Sequence, residues 1–106
     1  MRINVHAGHN PAGKVACGAV GLIQESVEDR RVKDEVISQL RQLGHTVYDC
    51  TVDNGTGQKD VLRKIVQKCR LHEVDLDVSI HFNSGANDKS GNGKTTGVEV
   101  LVYFCV

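Results

Sequence analysis

Two apolar stripes at helical spacing separate three short β-prone runs in this chain, and that alternation narrows its fold more than any other feature. Ile3 to His6 reads as the first strand. Val32, Val36, Ile37, Leu40 and Leu43 then recur at helical spacing in a helix that starts near Glu25-Ser26 and ends at Gly44. Thr46 to Val52 is β-prone, and Val61, Leu62, Ile65, Val66 and Cys69 line one face of a second helix over 58–71. Val78, Ile80 and Phe82 alternate with polar residues in a third strand, Leu76 to Asn83. Val98 to Val106 reads as a fourth strand. The order β-α-β-α-β-β predicts an α/β domain, a mostly parallel open sheet flanked by helices in three α/β/α layers. With the first strand central, the two helices fall on opposite faces.

The 106 residues fit one domain, with no linker or internal repeat. Thirteen basic and thirteen acidic residues cancel, so no electrostatic footprint for nucleic acid or an anionic membrane exists. Aromatic residues make up 4% and Trp is absent, which leaves no stacking platform for bases. No apolar run reaches the ~20 residues of a membrane span, and Met1 to His6 lacks the apolar core of a secretory signal, so synthesis in the cytoplasm is expected. Cys17, Cys50, Cys69 and Cys105 show no short ligand spacing and read as reduced, small core hydrophobes. Ser26 with Asp29 resembles a capping box at the first helix.

Ligands of open α/β sheets bind beyond the carboxyl ends of the strands. His9 follows the first strand, His81 ends the third, and Glu25 opens the helix after the first. Parallel strands bring all three to one rim. Two His and one Glu make a three-ligand set for a catalytic zinc ion, with the fourth position left open. Each also has a plain structural reading, as a turn residue, a first-turn carboxylate or a strand-end histidine. His6 reads as a support for the site or a core residue, and His45 and His72 suit helix C-termini. Gly8 to Lys14 also matches GxxxxGK, a nucleotide-binding alternative, but Val15 replaces the required Ser or Thr.

Ile3-Asn4-Val5-His6-Ala7-Gly8-His9-Asn10, followed by Gly18 to Glu25, resembles the opening of the zinc-dependent N-acetylmuramoyl-L-alanine amidases of the type 3 group. Gly44-His45-Thr46-Val47-Tyr48, Asp75 to Asn83 and Gly97 to Tyr103 resemble later landmarks of that family, in order. The similarity is greatest to clostridial and phage-borne lytic amidases, the endolysins and autolysins. The resemblance implies a hydrolase that binds peptidoglycan and cleaves the amide between N-acetylmuramic acid and L-alanine. It implies zinc held by His9, Glu25 and His81, with a separate glutamate moving the proton. It also implies action on the cell wall after release or lysis, without a membrane span.

The chain departs from the family at three points. His6 stands where many members carry an acidic residue, and Asn10-Pro11 replaces a double glycine. The catalytic glutamate of the family falls in a later strand, so residues 1–106 correspond to the N-terminal portion of a single catalytic domain. Glu99 occupies an ordinary strand position and is not assigned that role. The expectation is a chain that binds zinc and cleaves weakly or not at all. The alternative is a non-catalytic zinc module that binds peptidoglycan or a partner. Association through the apolar C-terminal strand is a further expectation.

Overall fold

The computed structural model describes residues 1–85, 90–94 and 96–103. It is an α/β fold in the order β1 (Arg2–Ala7), α1 (Glu25–Gln42), β2 (Thr46–Asp49), α2 (Gln58–Cys69) and β3 (Leu76–Ile80). The three strands form a parallel sheet in the order β2-β1-β3, which makes β1 central. Arg2 to Val5 pairs with Thr46 to Asp49, and Ile3 to Ala7 pairs with Leu76 to Ile80.

Side-chain alternation along β1 builds the layers. Ile3 and Val5 are buried with Val47 and with Ile37 of α1, and Val36, Leu40, Val78 and Ile80 pack around them. Burying a side chain such as Ile37 stabilises the fold by about 1.5–3 kcal/mol. Asn4 points to the other face, where its Nδ2 donates to the Cys69 carbonyl of α2 at 2.8 Å and to Asp77 Oδ1 at 2.7 Å. The helices therefore flank the sheet on opposite faces. A smaller cluster of Val52, Val61 and Ile65 fastens α2 to the segment after β2. Only the middle of the expected α1 stripe is buried; Val32 and Leu43 at its ends lie largely in solvent.

Several expectations need correction. The segment 98–103 forms no strand, and residues 104–106 lie outside the described residues. A strand exists only when its backbone is paired, and the described part of this segment joins no ladder; its apolar composition raises β-propensity without supplying a partner edge. Val98 is 95% and Tyr103 90% exposed. Ser26 is not a cap: α1 begins at Glu25 with Gln24 in the capping position and no side-chain cap bond. Ser26 is instead buried in the first turn. β2 and β3 stop at Asp49 and Ile80, before the expected ends, because the chain leaves the ladder at the carboxyl rim. Cys17, Cys50 and Cys69 are unpaired thiols, as expected; Cys105 lies outside the described residues.

Candidate metal centre

The carboxyl rim of the sheet is where the sequence places chemistry, and the backbone dictates who meets there. Beyond β1 the ladder runs one step further, from Gly8 N–H to the Ile80 carbonyl at 3.0 Å. That bond draws the His81 ring directly over Gly8. A Cβ on Gly8 would lie 2.1 Å from His81 Cε1, so any side chain there would displace the His81 ring. Gly18, at φ +79, serves the other side: a Cβ there would lie 2.6 Å from Glu25 Oε2 and 2.7 Å from His9 Cδ2. Two of the glycines thus make room for the three polar side chains.

His9, Glu25 and His81 converge, with one ligand atom from each lying within 4.8 Å of the others. Glu25 Oε1 is 3.4 Å from His9 Nε2 and 3.1 Å from His81 Nδ1. The imidazole rings meet edge to face, centroids 5.1 Å apart. Glu25 is 6% exposed, His9 half-buried and His81 open to solvent. Burial works to raise the Glu25 pKa. The Ala19 N–H at 2.9 Å, His9, His81 and the Phe82 N–H outweigh it, so the pKa falls and the group is an anion at neutral pH.

A residue outside the predicted set orients His9. Gln58, at the start of α2, places its Oε1 3.2 Å from His9 Nδ1. A carbonyl oxygen accepts, so this contact suits an Nδ1-protonated ring whose Nε2 presents a lone pair. That lone pair faces a carboxylate oxygen at 3.4 Å. In that tautomer the two ligand atoms can share a cation, whereas with Nε2 protonated His9 pairs with the carboxylate directly. Ligand atoms about 2.1 Å from a tetrahedral centre lie about 3.4 Å apart, which matches the His9–Glu25 separation and is close to the His81–Glu25 one. The donor types, spacing and open side therefore fit a zinc ion held by His9, Glu25 and His81.

The remaining sequence candidates lie elsewhere. His6 is half-buried within β1 and outside the cluster, and burial lowers its pKa. His45 Nδ1 meets the N-terminal amine at 2.9 Å, and His72 stacks on Tyr48 at 3.7 Å, both at the opposite rim. Glu99 Oε2 accepts from Asn83 Nδ2 at 3.1 Å and is not among the metal-binding group. In the Gly8 to Lys14 loop, Lys14 Nζ donates to the Asp53 carbonyl at 2.9 Å, and the next helix begins only at Glu25. Asn10 holds that loop down: its Nδ2 donates to Val15 and Gly55 carbonyls and its Oδ1 accepts from Gly55 N–H.

Besides Gln58, the sequence reading misses Asp29 and Arg30 of α1. Asp29 is fully buried, and burial raises its pKa to about 6 despite the neighbouring Arg30. Gln58 was within reach of the rule that selects Glu25, since both open a helix at the carboxyl rim. Arg30 gives no such signal, because most of its partners are backbone carbonyls.

The chain is 36% identical over 94 residues to an uncharacterized protein of Clostridium perfringens strain 13, covering 86% of this chain and 26% of the relative. It is 39% identical over 83 residues to an uncharacterized 38.4 kDa protein of Clostridium perfringens, covering 78% of this chain and 23% of that protein. The chain thus spans about a quarter of the length of the curated relatives it matches. No family model matches it. No described helix is long and apolar enough to cross a membrane.

Proposed function

We propose that this chain is the zinc-holding portion of a peptidoglycan amidase that hydrolyses the bond between N-acetylmuramic acid and L-alanine. The observation that carries the reading is the convergence of His9, Glu25 and His81 at one rim from three separate elements. Two imidazoles and one carboxylate together form a donor set for a divalent cation and leave a coordination position facing solvent. When bound, zinc supplies Lewis-acid polarisation of a carbonyl and makes water more acidic. The chain's own residues bind and orient: Gln58 suits the Nδ1-protonated tautomer of His9, and the Ala19 and Phe82 N–H groups hold the Glu25 carboxylate. Among the described residues, no further carboxylate joins the His9, Glu25 and His81 ligand group. In this proposal peptidoglycan is the substrate, and the protein reaches it after release or lysis.

The test has two parts. The purified chain is expected to bind one equivalent of zinc, and His81→Ala to abolish stoichiometric binding. Unchanged zinc content in that variant overturns the ligand assignment. Muropeptide hydrolysis by the zinc-loaded chain is expected to be weak or absent, and vigorous turnover overturns that expectation.

A further inference from the structure

His9 stands in the left-handed region at φ 62, a conformation that non-glycine residues seldom adopt. Something must hold it there, and the hydrogen bonds identify one candidate. The guanidinium of Arg30, on the second turn of α1, reaches under the first loop. Its Nη2 donates to the His9 carbonyl at 3.0 Å and the Val52 carbonyl at 3.1 Å. Its Nη1 donates to the Gly8 carbonyl at 3.3 Å and the Ser26 carbonyl at 3.1 Å. Nε and Nη2 both reach Asp53 Oδ1, at 3.3 and 3.0 Å, and Nη1 lies 3.5 Å from Asp29 Oδ1. The planar fork is 18% exposed and joins the loops after β1 and after β2 to the first turn of α1.

We propose that Arg30 is a positioning residue for the metal ligand His9. It grips the carbonyl of the ligand itself and that of the preceding glycine, so the loop cannot relax toward a right-handed His9 without breaking charge-assisted bonds. Lysine cannot substitute, since an ammonium offers three donors from one point and cannot span carbonyls of separate segments. The inference rests on the proposed metal site, and it extends that site to a residue that does not touch the ion. It also makes the loop after β2, through Val52 and Asp53, part of what sets metal affinity.

The experiment is titration of the full chain with Co²⁺ as a visible-band reporter, and with zinc by competition. Parent, His81→Ala, Arg30→Lys, Arg30→Gln and Asp53→Ala are compared, with far-UV circular dichroism as the folding control. Parent protein should show tetrahedral cobalt bands and His81→Ala none. Folded Arg30→Lys and Arg30→Gln should bind about 10–100-fold more weakly, with altered cobalt bands. Affinity within twofold of parent and an unchanged spectrum, in folded Arg30 variants, overturns the inference while leaving the metal site intact. If the parent itself binds no cobalt or zinc, it is the metal-site reading that fails. If the Arg30 variants do not fold, Asp53→Ala decides. Asp53 is solvent-exposed, and its loss should weaken binding several-fold; no change overturns the proposal.

Discussion

Asp29 shows at the residue scale what concentrating polar groups behind the candidate metal site costs. It is fully buried beside Arg30, and its Oδ2 has no hydrogen-bond partner among the described residues. Burial raises its pKa from 3.8 to about 6, so the folded protein holds a proton there that the unfolded chain has already released. A raised carboxylate pKa contributes stability below the unfolded value and loses it as pH rises through the folded one. Metal-free wild type should therefore lose stability relative to Asp29→Asn as pH rises from about 4 to about 6, with a constant difference above. Urea midpoints of both proteins across that range test this; parallel curves would refute it. His9, Glu25 and His81 were legible in the sequence because each adjoins a strand end or helix start whose position the hydrophobic pattern reveals. Asp29 and Arg30 were not, because their roles depend on which carbonyls and carboxylates fold around them.

Helix ends carry the argument at the scale of elements. Gly44, at φ +90, closes α1 by a complete two-bond turn: Gly44 N–H donates to the Arg41 carbonyl at 3.0 Å and His45 N–H to the Leu40 carbonyl at 3.1 Å. A Cβ there meets nothing within 4 Å, so Gly44→Ala isolates the backbone cost of the left-handed conformation. That variant should lose about 1–2 kcal/mol, read from chemical denaturation, with zinc binding unchanged. This helix end was legible because a glycine after an apolar stripe has one common use. The helix start was not. Ser26-x-x-Asp29 has capping chemistry, yet both side chains are turned inward and buried by the rim they help to form. The segment 98–103 fails for the complementary reason. Propensity describes how well residues suit a pleated surface, and a strand further requires an edge to pair with.

Across the whole molecule, the candidate site joins regions far apart in the chain. His9 follows β1, Glu25 begins α1 and His81 follows β3, while Gln58 reaches in from α2. An ion bound there bridges segments 56 residues apart, from Glu25 to His81, and is bound only by the folded state. Zinc at a hundredfold excess over its Kd should add about 2.7 kcal/mol. For a domain of this size that raises Tm by on the order of 10 °C. Thermal unfolding with and without zinc, reversed by a chelator, measures this; an unchanged Tm would show that no ion is bound. The sequence by itself determined the α/β class and the three ligand candidates, while the central place of β1 came from the structure. Class and candidates follow from hydrophobic periodicity and from the parallel crossover, which are local properties or consequences of chain connectivity. Only the tertiary structure decided which glycines clear space for the three side chains, that Gln58 reaches His9 Nδ1, and that Arg30 binds the carbonyls of Gly8 and His9. Those depend on contacts between residues distant in sequence, whose distances and directions no local pattern encodes.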